Sequence, residues 1–214
     1  MKNSFLVKLV GTYFCFCILS AHGARLFIAL DLPERVSSSI MHYQSLLSKQ
    51  LPTYLPAGMK VDKRKAVLNI LFIGEADINY AKNALLDVVR EKENIEYLTE
   101  TCQQWTVAHY PSLFFNQYIS VKAFPHSPTA FYLFVDKLKA SLKNQGITVT
   151  NNTYPHITLI KCKSPLTVAQ ENILDKFLQT KHIPKSLQNF QTPSITLYES
   201  TQEEYTTVLS HNLK

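Results

Sequence analysis

Glycine, cysteine and tryptophan are scarce in this chain: its 214 residues include five glycines, four cysteines and one tryptophan. With ten prolines beside them, so few glycines exclude a collagen-like repeat and a low-complexity chain. Charge is thin as well. Only 18% of residues are charged, against 46% hydrophobic and 11% aromatic, a balance that excludes disorder and a coiled coil as the dominant state. The net charge of +6 comes from 22 basic and 16 acidic residues. It permits contact with phosphates but falls far short of the basic stripe of a dedicated nucleic-acid coat, so no extended nucleic-acid surface is expected. No linker rich in Pro, Gly or Ser divides the chain. One domain, or two small lobes sharing an interface, can bury a self-sufficient core at this length.

Acidic residues are missing altogether before Asp31. Lys2 and Lys8 precede an apolar run of 12 residues, Leu9 to Ser20 (LVGTYFCFCILS), and Ala21, His22, Gly23 and Ala24 follow it. A cationic start, a short apolar centre and a small-residue exit predict a secretory signal peptide over residues 1–24, cleaved after Gly23 or Ala24. The run is too short to span a bilayer comfortably, so no membrane association is expected once it is removed. The competing readings are an uncleaved anchor or a misplaced start codon. The expectation is an exported protein, periplasmic or secreted, or a cytoplasmic one if the signal is not real. Cys15 and Cys17 leave with the segment, and Cys102 and Cys162 remain. Their redox state is open at this level. One possible bridge is not a disulfide scaffold, and no Cys or His pair has metal-ligand spacing, so no metal or other cofactor is expected.

Over residues 25–214 the periodicity alternates between strand and helix. RLFIALD (25–31) reads as a buried strand. A helix opens near Pro33, with Val36, Ile40, Tyr43 and Leu47 at helical spacing. Ala66 to Ile73 is a second strand, stopped by Gly74. Asp77 caps a helix whose inner face is Ile78, Ala81, Leu85 and Val88. Strands follow at Gln103–Ala108 and Gln117–Ala123. Ser127 and Pro128 open a helix with Phe131, Phe134, Leu138 and Leu142 inward and Gly146 as its stop. His156 to Cys162 is a strand. Thr167 and Gln170 have capping-box spacing ahead of Ala169, Ile173 and Phe177. Ser194–Tyr198 and Tyr205–Leu209 close the chain as a hairpin. AVLNILFIGE and HITLIKCKSP each stand before a helix after a short polar break, which suggests duplicated α+β lobes.

The octet YPHITLIK (154–161) carries the most chemistry. Alternate strand residues share a face, so His156 and Thr158 point away from the core into which Ile157 and Leu159 point. Imidazole transfers protons near neutral pH, the hydroxyl can hydrogen-bond a phosphoryl oxygen, and Lys161 can offset its charge. A His-x-Thr alone does not exceed what a half-exposed strand often shows.

Four segments in order strengthen it. RLFIALDLPE, LNILFIGE, YPHITLIK, and SITLYES followed by EEYTTVLSHNL resemble the strands of the 2H phosphoesterase superfamily. The chain is most similar to its bacterial branch, the RNA 2′,3′-cyclic phosphodiesterases also called 2′-5′ RNA ligases, over roughly residues 25–213. The resemblance implies an α+β fold of two pseudo-symmetric lobes, antiparallel sheet with flanking helices, around a central cleft lined by one His-x-Thr from each lobe. It implies metal-independent hydrolysis of 2′,3′-cyclic phosphate or 2′-5′-linked ends of RNA or nucleotides, one histidine acting as base and the other as acid while the threonines hold the phosphate. The expected partner is a small nucleotide or RNA terminus, and the expected state a monomer. His156 and Thr158 match the second motif, with Tyr154 and Lys161 as further substrate-binding positions. Lys161 stands where relatives often carry arginine, which keeps the charge but loses the planar fork.

The first motif departs. Counting back from Gly74 and Glu75, its histidine position is Val67 and its threonine position Asn69. Valine exchanges no proton; asparagine can still donate to a phosphate oxygen. No histidine occurs between His42 and His109 to replace it, and His109 and His126 read as loop or strand-end residues. Lys63, Arg64 and Lys65 precede the altered strand, as extra charge or as a solvated loop. Three readings follow: a phosphodiesterase weakened by the loss, a non-catalytic nucleotide or RNA-end binder, and an exported interaction protein that reuses the fold.

Overall fold

Leu26, Ile28 and Leu30 are fully buried on one side of the first strand while Phe27 and Ala29 take the other, and this two-sidedness organises the molecule. The computed structural model describes residues 24–51, 59–61, 65–102, 104–114, 117–149, 154–162, 165–201 and 204–213. The predicted signal segment before Ala24, together with Lys63, Arg64, Gln103 and the side chain of Cys102, lies outside the described residues. In chain order the elements are β1 (Ala24–Asp31), α1 (Glu34–Gln50), β2 (Met59–Val61), β3 (Val67–Ala76), α2 (Ile78–Arg90), α3 (Lys92–Cys102), β4 (Trp105–Val107), β5 (Ser112–Phe114), β6 (Tyr118–Pro125), α4 (Pro128–Asn144), β7 (His156–Cys162), α5 (Val168–Leu178), a 3-10 turn at Lys185–Leu187, β8 (Asn189–Phe190), β9 (Ser194–Ser200) and β10 (Tyr205–Asn212).

All pairings are antiparallel, and the strands run β10-β9-β1-β3-β7-β6-β4-β8, with β2 beside β7 and β5 beside β6. That order is symmetric about the β3/β7 junction. On one side β1–α1–β3–α2 forms a lobe, and on the other β6–α4–β7–α5 repeats it. β1 and β6 have 8 residues each and α1 and α4 have 17 each, so the repeat extends to element length. The two lobes share one hydrophobic core that draws residues from all five described helices. The opposite face of the sheet around β1, β3, β9 and β10 carries only a small separate cluster, Phe27, Ala29, Val67 and Tyr198 with Tyr205 against it. Chemistry is therefore left to that second face.

Local sequence accounts for most boundaries. The Asp77 side chain accepts hydrogen bonds from the backbone N–H groups of Asn79 and Tyr80, capping α2. Thr167 and Gln170 form the capping box of α5. At the end of α4, Gly146 adopts φ +78 while its N–H bonds the Lys143 carbonyl and Ile147 N–H bonds that of Leu142, the paired bonds of a Schellman motif. Pro128 opens α4, whereas Ser127 makes no side-chain cap bond.

Two expectations are corrected. β3 does not stop at Gly74 but continues to Ala76. Gly74, at φ +89, sits beside a register shift against β1 and lets the strand pass through a bulge. In α5 the buried residues are Leu174 and Leu178, while Ile173 is 43% exposed. Two apolar rows compete on that short helix, and the row set one residue later faces the core.

Candidate active site

β7 presents His156 and Thr158, both half-buried, on the face opposite Ile157 and Leu159, as alternation predicts. Its neighbour on one side is β3, where Asn69 is the direct partner of His156. On the other side β6 sets Lys122 opposite His156 and Ser120 opposite Thr158. Directly opposed residues of an antiparallel pair point to the same face. Lys122, His156 and Asn69 thus form one row across three strands. Val67 and Thr158 each stand two residues along their own strand from the Asn69–His156 pair, on the same face. Asn69 of one lobe therefore meets His156 of the other across the lobe boundary.

Matching irregularities refine the comparison. After Thr158, Leu159 and Ile160 both turn into the core, because the β6/β7 register shifts between Ile119 and Ser120. After Asn69, Ile70 and Leu71 do the same, because the β1/β3 register shifts between Ile28 and Ala29. These equivalent bulges bring Lys161 and Phe72 back to the site face, opposite Tyr118 and Phe27 respectively. Lobe by lobe, Asp31–Val67 stands where Lys122–His156 stands, Ala29–Asn69 where Ser120–Thr158 stands, and Phe27–Phe72 where Tyr118–Lys161 stands. The proton-transferring group, the hydroxyls and the lysines of this comparison all belong to the second lobe.

His156 is held in a defined tautomer. Its Nδ1 lies 2.9 Å from the Tyr154 carbonyl oxygen, which can only accept, so Nδ1 carries the proton and Nε2 offers a lone pair. Phe114 lies against the imidazole, ring centroids 4.6 Å apart. Burial lowers the pKa of His156 below the usual imidazole value, and the hydrogen bond to Tyr154 only partly opposes this. The ring is neutral at pH 7, the form a general base requires. Gln44 of α1, itself buried, donates through Nε2 to the Thr158 carbonyl at 3.2 Å and ties β7 to the helix layer. Lys122 Nζ lies 5.8 Å from the centre of the Tyr154 ring, and Lys161 Nζ 5.9 Å from that of Tyr118.

The first lobe is built differently. Val67 is 2% exposed, packed with Phe27, Ala29 and Tyr198, and its β1 partner is Asp31. The Asp31 carboxylate accepts hydrogen bonds from Tyr198 Oη at 2.5 Å, Ser194 Oγ at 2.6 Å and Thr196 Oγ1 at 2.8 Å, with Lys65 Nζ at 2.8 Å. Burial alone would raise its pKa, but the bonds from Lys65, Ser194, Tyr198 and Thr196 outweigh it and hold the group below the ordinary carboxylate value. Asp31 is the polar side chain paired with Val67, and it is ionised at neutral pH and cannot donate a proton. Tyr198 is no substitute, since burial and the neighbouring carboxylate push its pKa upward.

The sequence candidates His156, Thr158, Asn69, Val67, Tyr154 and Lys161 thus share one face. Lys65, read as extra charge or as part of a solvated loop, pairs with Asp31. His109 and His126 are exposed and lie off the site strands. Cys162 is buried and free. Lys122 and Asp31 were missed by sequence reasoning. Alternation along β6, with Val121 and Ala123 inward, could have found Lys122. Among the described residues no group of three or more His, Cys, Asp or Glu could hold a metal, and no helix is long and apolar enough to cross a membrane.

This curled antiparallel sheet, flanked by helices and symmetric about the two motif strands, is the fold of the LigT-like 2H phosphoesterases. No protein-family model and no curated protein matches the chain. Among solved structures, LigT of E. coli in apo form matches with a TM-score of 0.61 at 19% identity, covering 90% of this chain and 98% of that one. A structure described as a phosphoesterase gives 0.60 at 18%, covering 89% and 99%. The protein TT0787 of Thermus thermophilus gives 0.59 at 19%, covering 88% and 97%. LigT has also been solved with 3'-AMP and with ATP. The likeness is one of fold, and it matches the architecture that the four sequence segments imply.

Proposed function

We propose that this chain is a one-histidine relative of the 2H phosphoesterases that binds 2′,3′-cyclic phosphate or 2′-5′-linked nucleotide ends and hydrolyses them slowly, without a metal. The observation that carries the reading is the His156–Asn69 pairing across the lobe boundary, with Nδ1 held by Tyr154 and Nε2 left as the base. Nε2 takes a proton from water as the water oxygen attacks phosphorus. The bond from phosphorus to one ribose oxygen breaks, and that oxygen takes its proton from solvent, since Val67 supplies none. The Thr158 hydroxyl and the Asn69 amide donate to non-bridging oxygens, and the Lys122 and Lys161 ammonium groups offset their charge. The nucleotide complexes of LigT support a nucleotide ligand for this fold.

The test is hydrolysis of a 2′,3′-cyclic nucleotide by the wild type and His156→Ala. General-base help is worth roughly 10²- to 10⁴-fold, so the variant should lose at least about a hundredfold. Equal rates would remove His156 from the reaction.

A second reading, binding without turnover, is favoured by the burial of Val67 at 2% exposure beneath Phe27 and Tyr198. It predicts calorimetric binding of the same nucleotide with no product. Export through the N-terminal segment is a separate proposal, resting on its charge and apolar pattern. N-terminal sequencing of secreted material decides it: a start near Ala24 or Arg25 supports export, and a start at Met1 refutes cleavage.

A further inference from the structure

Two large rings stay in the open directly beyond His156. Phe124 on β6 is 50% exposed and Tyr154, just before β7, is 59% exposed. Both lie on the site face. Val121, Ala123 and Pro125 are buried on the other side of β6, which leaves Phe124 with Lys122. The Ala123 N–H bonds the Pro155 carbonyl and extends the β6/β7 ladder beyond Lys122–His156. One further step sets Phe124 opposite Tyr154. Lys122, the strand partner of His156, reaches over the Tyr154 ring, 5.8 Å from its centre.

Single exposed apolar side chains need no explanation. A pair of rings with a lysine, one strand step from a neutral imidazole, is a different arrangement. Residues two apart on a strand are about 7 Å apart, which is the reach of one ribose from its phosphate to its base.

We infer that Phe124 and Tyr154 form a stacking subsite for the nucleobase of the nucleotide whose phosphate meets His156, with Lys122 placed to meet the phosphate. This rests on the phosphate-site reading above and deepens it. The ligand must carry a base, and the base lies over the second lobe. Bases stack on aromatic side chains with little regard to identity, at roughly 1–3 kcal/mol each, so the subsite selects nucleotides over sugar phosphates without strong preference among bases.

The experiment is calorimetric titration of the full chain with 2′,3′-cyclic AMP and with ribose 2′,3′-cyclic phosphate, which lacks the base. Wild type should bind the nucleotide roughly five- to a hundredfold more tightly than the sugar phosphate. Phe124→Ala should shrink that difference and leave the sugar-phosphate affinity unchanged, Phe124→Ala with Tyr154→Ala should erase it, and Tyr154→Phe should keep it. Equal binding of both ligands by wild type, or a loss in the double variant that affects both alike, overturns the subsite and leaves the phosphate site standing. No binding of either ligand overturns both. Both rings are exposed, and thermal melting verifies that the double variant is folded.

Discussion

His156 and Asp31 sit on the same sheet face, and both are pulled toward the neutral form by burial. For His156 the hydrogen bond to the Tyr154 carbonyl opposes the pull only in part. For Asp31 four donors reverse it. The difference leaves a neutral imidazole in one lobe and a fixed anion in the other. Replacing Asp31 by Asn should destabilise the fold by roughly 3 kcal/mol, since the carboxylate is buried and its hydroxyl donors would be left poorly matched. Lys65→Ala should cost no more than about 1 kcal/mol, because the Lys65 side chain is half in water. Thermal melts of both variants measure this. The pH dependence has a definite sign. A carboxyl whose folded pKa is depressed contributes stability above its unfolded value, near 3.8, and loses it as pH falls through the folded value. The gap between wild type and Asp31→Asn should therefore be constant near neutrality and close in acid. A gap that widens in acid would contradict the assignment.

At the level of elements, β3 and β7 are the same device with different side chains, down to the bulge after each motif. Val67→His with Asn69→Thr would return an imidazole beside Asp31, whose carboxylate favours the protonated, acid-competent form. Turnover of a 2′,3′-cyclic nucleotide should rise at least about tenfold over wild type, at a packing cost of about 1–3 kcal/mol in melting experiments. Unchanged turnover in a folded variant would mean that the Val67 site no longer reaches the ligand.

Much of this was legible beforehand. β7 has the predicted bounds, and Val67 and Asn69, the positions counted from Gly74, do lie on the strand that pairs with it. Asp31 could not be assigned because its importance depends on cross-strand register, which no local pattern encodes, whereas alternation along β6 would have offered Lys122. α3 was missed because its sequence, KENIEYLTETC, shows charge more than apolar periodicity. On α5, Ile173 and Leu174 begin two rows of similar hydrophobicity, and only packing selects between them.

Across the whole molecule the site is lopsided. Lys122 and Lys161 lie with His156 in the second lobe, while the first lobe spends Lys65 on Asp31. A phosphate should therefore sit toward β6 and β7, held by about two lysines. For single-stranded ligands each neutralised phosphate contributes about −0.7 to the slope of log K against log salt. A 2′,3′-cyclic-ended RNA should give a slope between about −1 and −2, hardly steeper as the RNA is lengthened. A slope that keeps steepening with length would reveal a nucleic-acid track that this surface does not explain.

The central claim is that His156 is the one side chain that moves a proton, taking it from the attacking water while solvent protonates the leaving oxygen. The pH dependence of kcat/KM for 2′,3′-cyclic AMP tests it most directly. A lone base should give one acid limb, with an apparent pKa below 6.5 because His156 is depressed, and then a plateau through neutral and mildly alkaline pH. A bell-shaped profile would reveal a second, protonated group at work, and an acid limb unaltered in His156→Ala would assign the base elsewhere.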